Sequence, residues 1–167
     1  MITDVLKNMA LFIDGRGYAG KADEIVPPKL TLKTEEYRAG GMDAPIEVDM
    51  GMEKLEASFT LSAFDKEVLK LFGLAAGNQV PMTFRSALEA EDGTITPVVM
   101  SMRGKIREVD MGTWKSGEKA TLKVTMGLHY YKLTHGQDVV HEIDVENMIR
   151  MVNGTDQLAN QRSALGI

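Results

Sequence analysis

The segment that comes nearest to a known chemical motif is residues 15–20, GRGYAG, which match G-x-G-x-x-G after an apolar run. A dinucleotide site needs a helix to begin at these glycines, because the first amides of that helix bind the pyrophosphate. Pro27 follows too soon for such a helix. We therefore interpret residues 14–17 as the turn of a hairpin between strands at 10–13 and 18–22.

The histidines are the next candidates for chemistry, as metal ligands. His135 and His141 flank a predicted hairpin, and His129 lies on the strand that leads into it. Alternation along a strand turns Glu142 away from His141, so a third ligand is lacking. The chain has no cysteine, which excludes disulfides, thiolate metal sites and a cysteine nucleophile. It also lacks a Gly-x-Ser-x-Gly motif. We predict no catalytic residue, no metal site and no cofactor.

The charged pairs have structural interpretations. Glu47 and Asp49 could form the acid pair of a glycosidase, but their alternation is typical of a polar strand face. Arg103, Lys105 and Arg107 share one face of another predicted strand, without the aromatic residues of a nucleic-acid surface. That face is either solvated or a contact for an acidic partner. The net charge of −5 also argues against a protein built to bind nucleic acid.

These side chains must be positioned mainly by strands. The length of 167 residues is typical of one domain, residues 1–167. Alternation predicts strands at 29–38, 46–50, 53–63, 80–90, 96–109, 120–133 and 138–143. The fold class expected is mainly β (α+β), with about eight strands closing into a sandwich or barrel.

Short helices interrupt the strands. A helix is predicted over 65–72, capped by Asp65 and ended by Gly73. A C-terminal helical segment is predicted over about 145–164, as helices at 145–151 and 155–164. Asn153 and Gly154 are interpreted as the stop between those two helices.

The ribbon of residues 29–63 is difficult to explain within an isolated domain. Its polar, alternating strands surround the turn-rich segment AGGMDAP, residues 39–45. Such strands leave open edges, which are templates for pairing with another chain. Head-to-tail pairing of identical copies produces rings or filaments. We therefore expect the chain to join copies of itself.

The chain resembles the major tail tube proteins of contractile-tailed phages and R-type tailocins over essentially its whole length. The most specific run is YRAGGMDAP, residues 37–45. The other matching runs are Asn8–Gly15, Leu30–Met50, Arg103–Gly104, Glu108–Asp110, Gly112–Lys119, Tyr130–Leu133 and Val152–Ala159.

The resemblance implies a β-sandwich or β-barrel subunit that assembles through its sheet into a multi-subunit β-barrel tube of stacked hexameric rings. An extended hairpin and loop, about residues 38–55, would reach the adjacent ring. The implied contacts between subunits or rings are Tyr37, Arg38, Gly40, Gly41, Met42, Asp43, Ala44 and Pro45. Lumen-facing candidates are Glu47, Asp49, Lys54 and Glu56, and candidates for a sheath or ring contact are Arg103, Lys105 and Arg107.

The implied partners are further copies of the chain, the contractile sheath protein, the baseplate or tube initiator, the tail terminator and a tape measure protein in the lumen. DNA would pass through only in a phage. The expected location is a virion tail or a tailocin, a bacteriocin particle, made in the bacterial host cytoplasm. We expect neither a signal peptide nor a membrane anchor. The alternatives are a type VI secretion-like tube protein and a monomeric ligand-binding β-barrel.

Overall fold

Alternation of apolar and polar side chains produces a mainly β structure, as predicted. The computed structural model describes residues 1–18, 21–74 and 77–167. The strands in these ranges are β1 (Val5–Ile13), β2 (Arg16–Gly17), β3 (Ala22–Val26), β4 (Leu32–Tyr37), β5 (Ile46–Met52), β6 (Leu55–Leu61), β7 (Val80–Glu89), β8 (Ile95–Asp110), β9 (Leu122–His135), β10 (Asp138–Asp144), β11 (Ile149–Val152) and β12 (Thr155–Asp156). The helices described are α1 (Lys66–Leu69) and α2 (Ala159–Leu165), and neither is long enough to cross a membrane.

The main sheet has ten antiparallel strands, and β4 and β5 form a separate two-stranded sheet. The principal strand order of the main sheet is β12-β11-β10-β9-β8-β7-β1-β2. Strand β9 is long enough to hold two neighbours on one edge, because Leu122–Leu128 pairs with β6 and Tyr130–His135 pairs with β10. Strand β3 then pairs with the outer edge of β6. The main sheet thus bends around one hydrophobic core.

Strands β6 and β9 form the centre of that core. Phe59 and Leu61 are 1% and 0% exposed, and they lie opposite Val124 and Leu122 of β9. The intervening side chains of β6 lie on the outer face and are only half-buried. Burial of one such apolar side chain contributes about 1.5–3 kcal/mol, so these two strands supply a large part of the stability.

Helix α1 covers one end of the core. The Asp65 carboxylate accepts a hydrogen bond from the Glu67 amide at 2.8 Å, as expected of the predicted N-cap. Val68 on this helix is fully buried. The helix is shorter than the predicted 65–72, because Phe72 leaves it to form a bridge with Ile106 of β8.

Strands β8 and β9 approach each other very closely at one point. The pairing register shifts between Arg103 and Gly104, which is buried. A β-carbon at position 104 would overlap the carbonyl oxygen of Gly127. Glycine at 104 is therefore a packing requirement of the sheet.

The first predicted hairpin is present, but its turn is shorter than predicted, because Arg16–Gly17 already form β2 and neither Tyr18 nor Lys21 lies in a strand. Asp14 and Gly15 both have positive φ, 50° and 80°, and connect the paired residues Ile13 and Arg16. Two positive φ values are the geometry of a type I′ turn, which Asp-Gly favours. Of the strand predicted at 18–22, residues 19–20 lie outside the described residues, as does the last glycine of the G-x-G-x-x-G match.

The C-terminal prediction was largely wrong. Residues 145–148 form a turn, and residues 149–152 form β11 on the edge of β10 instead of a helix. Asn153 and Gly154, with φ of 53° and 78°, connect β11 to β12 as a two-residue hairpin turn. They do not stop a helix. Helical structure is confined to α2 in this segment.

Candidate assembly surfaces

The hairpin of β4 and β5 projects from the main sheet with little cover. All residues of β4 are exposed, and in β5 all except Met52 are exposed. The connecting loop, residues 38–45, is organised by Arg38, whose Nε donates to the Met42 carbonyl oxygen at 3.1 Å. The Met42 amide donates to the Ala39 oxygen at 3.2 Å. The predicted contact residues 37–45 therefore form one exposed end of the molecule.

One face of this hairpin carries an exposed apolar cluster, with Glu35 beside it opposite Val48. Tyr37 and Ile46 are directly paired, so their side chains lie together on this face, and alternation adds Val48. Tyr37, Ile46 and Val48 are 55%, 54% and 40% exposed, and Met50 at the nearby bulge is 52% exposed. Exposed apolar side chains grouped in this way are typical of a protein interface.

The opposite face of the hairpin is acidic. Glu36 lies directly opposite Glu47, and Thr34 lies opposite Asp49. Like charges placed directly opposite each other destabilise a strand pair. Among the residues that the structure describes, neither Glu36 nor Glu47 has a cation within ion-pair distance.

Asp49, by contrast, connects the hairpin to the main sheet. Its Oδ2 accepts a hydrogen bond from Arg150 Nη2 of β11 at 2.9 Å, and its Oδ1 accepts one from the Gly51 amide at 2.8 Å. The Gly51 amide and then Arg150 stabilise the carboxylate, so the pKa of Asp49 is lowered from its ordinary value. Arg150 is the partly desolvated partner, with a side chain only 15% exposed.

The other two lumen candidates lie at the root of the hairpin and on the main sheet. Lys54 follows β5, and Glu56 lies on the outer face of β6. Glu56 forms an ion pair with Arg107 of β8, although β9 runs between these strands. The intervening residue of β9, opposite Glu56, is Gly127, whose missing side chain leaves the path open. The four predicted lumen residues therefore lie on two parts of the fold, with Glu47 and Asp49 on the hairpin and Lys54 and Glu56 at its root and on the main sheet.

The basic residues of β8 are in part engaged within the chain. The Arg103 guanidinium lies 4.4 Å from the centre of the Tyr130 ring, a cation–π contact. Burial of Tyr130, with the nearby Glu142 carboxylate, raises the pKa of its hydroxyl. Lys105 is half-buried and Arg107 is paired with Glu56. The exposed Arg103 is thus held in a fixed position at the surface.

Two features of the surface were missed from the sequence. Trp114, which is 65% exposed, packs against Phe64 with ring centres 5.4 Å apart, and its indole N–H donates to the Met111 oxygen at 3.1 Å. Arg150 was missed because it fell in a predicted helix. The signal that could have found it is the Asn-Gly pair after Ile149–Val152, which is typical of a hairpin.

The histidines do not form a cluster. His141 is paired with Leu133, and His135 is paired with Asp138, so the two do not face each other. His129 Nδ1 lies 2.8 Å from the Glu146 carboxylate. In the described part of the chain, no group of three potential ligands is arranged to hold a metal ion.

The architecture is that of a known structural class. Two solved structures share the fold: an extracellular contractile injection system, PVC, as its sheath/tube terminator and as its sheath-tube complex, both in the extended state. Each has a TM-score of 0.57 and 10% identity and covers 75% of this chain, with 92% and 87% of the respective neighbour covered.

The sequence comparisons identify the family. The model for the phage tail tube protein FII family matches residues 3–166, so the chain belongs to that family. It is 35% identical to the tail tube protein of Escherichia phage P2, over 97% of this chain and 96% of that protein. It is 32% identical to the major tail tube protein of Serratia phage KSP20, over 97% and 95%. The chain is therefore a structural tail tube protein and not an enzyme, which confirms the expected family.

Proposed function

We propose that this chain forms the inner tube of a contractile tail by assembling into hexameric rings that stack end to end. The observation that carries the proposal is the hairpin of β4 and β5, whose apolar face is not covered by the described part of its own chain. Both strands also have a free edge in the two-stranded sheet. A neighbouring copy that covers this face and pairs with an edge would remove the apolar side chains from water and provide partners for the unpaired backbone groups.

The hairpin gives direction to this assembly. It projects one surface of the chain toward a different surface of the next copy, which is a head-to-tail contact that extends without limit unless it closes into a ring. A standard interface buries about 1,600 Å², and each subunit of a stacked ring would form several. The assembled tube is therefore much more stable than the isolated subunit.

The remaining surfaces are assigned by their position and charge. Glu47, Asp49, Lys54 and Glu56 are proposed to face the lumen, where acidic groups would keep DNA phosphates from adhering in a phage. Arg103, Lys105 and Arg107 are proposed to contact the sheath or the next ring. The sheath, a tape measure in the lumen, and an initiator and terminator at the two ends complete the particle, a virion tail or a tailocin assembled in the host cytoplasm.

The loop of the hairpin provides the test. Residues 40–45 are deleted and Arg38-Ala39 is replaced by Asn-Gly, which keeps the Tyr37–Ile46 pair on a two-residue turn. We expect an unchanged thermal midpoint by circular dichroism and no tubes by negative-stain electron microscopy.

The matched control replaces residues 40–45 by a Gly/Ser segment of equal length. If the sequence of the loop and not only its length is needed, this control also fails to assemble. Tubes of normal diameter from the deletion variant would contradict the assignment of the loop as an assembly contact.

A further inference from the structure

The hairpin of β4 and β5 is joined to the main sheet by few contacts beyond its root. Within the described residues, Asp49–Arg150 is the only side-chain hydrogen bond between the strands of the hairpin and the rest of the chain. The residues around it on both strands are exposed. Together with Met52, which packs against the core at the root, this pair therefore sets the direction of the hairpin.

Arg150 is held firmly on its side of the contact. Its amide donates to the Asp156 carboxylate at 3.4 Å, and its carbonyl oxygen accepts from the Gln157 amide at 2.8 Å. Asp156 also accepts a hydrogen bond from the Leu158 amide at 3.0 Å and forms an ion pair with Arg162. The C-terminal segment from β11 to α2 thus fixes the backbone from which the Arg150 side chain extends.

Asp49 lies at the bend of the hairpin. The pairing register shifts between Thr34–Asp49 and Leu32–Met52, so β5 carries an extra residue there. Gly51 has a φ of 104°, a conformation that favours glycine and lets β5 turn. Ile46 is six residues beyond Met52, or about 20 Å along the strand, so a small rotation at the bend moves the tip by many ångströms.

We propose that Arg150 is a positioning residue for assembly: by binding Asp49, it directs the hairpin so that Tyr37, Ile46 and Val48 face the neighbouring copy. The inference rests on the proposed function. Asp49 lies on the face opposite those apolar side chains, so the pair ties the root of the hairpin to its own chain and leaves the apolar side chains for the partner. A hairpin that is already oriented loses less conformational freedom when it docks.

Distance measurements test the contact itself. The chain has no cysteine, so spin labels can be attached at Glu35→Cys on β4 and Asn160→Cys on α2 alone. In the unassembled chain at low concentration, we expect one narrow distance distribution by pulsed dipolar spectroscopy. Arg150→Gln and, independently, Asp49→Asn broaden it. The charge exchange Asp49→Arg with Arg150→Asp narrows it again.

The matched control is Lys119→Gln, which removes an exposed ion pair with Asp23, at 3.3 Å, away from the hairpin. It should leave the distance distribution unchanged. An unchanged distribution in both Arg150→Gln and Asp49→Asn would overturn the proposal. Asp49→Asn is included because Arg150→Gln alters the C-terminal segment itself, whereas Asp49→Asn weakens the pair from the side of the hairpin.

Assembly kinetics test the consequence. Tube formation, followed by light scattering, should slow about twofold to fivefold in Arg150→Gln, the range that an ion pair near the surface supports, and recover in the charge exchange. A loosened hairpin with an unchanged rate would overturn the positioning role and leave the proposed function standing. If the unaltered chain forms no tubes, the proposed function fails, and the positioning role fails with it.

Discussion

Strands β5 and β6 follow each other in the chain and carry the same alternation, yet their apolar faces have opposite fates. The apolar side chains of β6 are buried against β9, whereas Ile46, Val48 and Met50 of β5 are exposed. The difference arises because the apolar face of β6 belongs to the core that the main sheet encloses, whereas β5 lies in a separate two-stranded sheet with β4. A strand pattern therefore predicts which face is buried, but not which chain buries it.

The comparison also separates stability from assembly within one molecule. The apolar side chains of β6 stabilise the subunit, while in the proposed assembly those of β5 are buried by another copy. Substitutions in the two strands should consequently affect different measurements.

The largest expected difference in the free energy of unfolding comes from truncating one large apolar side chain to alanine in each of the two strands. Phe59→Ala removes a fully buried ring from the core and should lower the free energy of unfolding by about 3–5 kcal/mol. Ile46→Ala on β5 should change it by less than about 0.5 kcal/mol, because the side chain is exposed. Urea unfolding of the unassembled chains measures both values. A loss from Ile46→Ala comparable to that from Phe59→Ala would show that the hairpin is covered in the isolated subunit.

A smaller effect is expected from adding one carbon. Gly104→Ala places a β-carbon against the Gly127 carbonyl and should cost about 1–3 kcal/mol by overpacking. Gly40→Ala, in the hairpin loop, meets no neighbour and has no positive φ, so it should be neutral. The thermal midpoints of the two variants measure this difference in stability. Equal shifts at positions 104 and 40 would contradict the close approach of β8 and β9.

The smallest effect concerns pH and the C-terminal segment. The Leu158 amide first, and also Arg162, stabilise the Asp156 carboxylate, so its pKa is lowered from the ordinary 3.8. A lowered pKa in the folded state contributes stability that is present above 3.8 and is lost as the pH falls through the folded-state value. Hydrogen exchange of the Leu158 amide, corrected for its intrinsic rate, should therefore accelerate below this pH. In Asp156→Ala, which removes the acceptor, it should be fast already and independent of pH, and a pH dependence retained there would assign the effect to another group.

Local sequence was sufficient where the signal had one structural meaning. The alternation of β6 and β9, the Asp65 cap and the Asp14-Gly15 turn were predicted and are present, because each depends on residues only a few positions apart. The family resemblance was likewise carried by collinear segments of sequence and is confirmed by the match over residues 3–166.

Local sequence failed where one pattern suits two structures. The segment VENMIRM, residues 145–151, spaces its apolar residues in a way that suits a helix, and Asn153-Gly154 suits either a helix end or a hairpin turn. The free edge of β10 decided the outcome, because it supplies backbone partners for Ile149–Val152 that a helix would not use.

By itself, then, the sequence determined the mainly β class, the alternation of strands such as β6 and β9, and the family. Only the tertiary structure decided that the apolar face of β5 is left uncovered and that Asp49 meets Arg150, which is 101 residues away in the chain. The physical reason is that periodicity reports the orientation of a side chain relative to its own strand. The partner of that side chain depends on which strands become neighbours when the sheet forms.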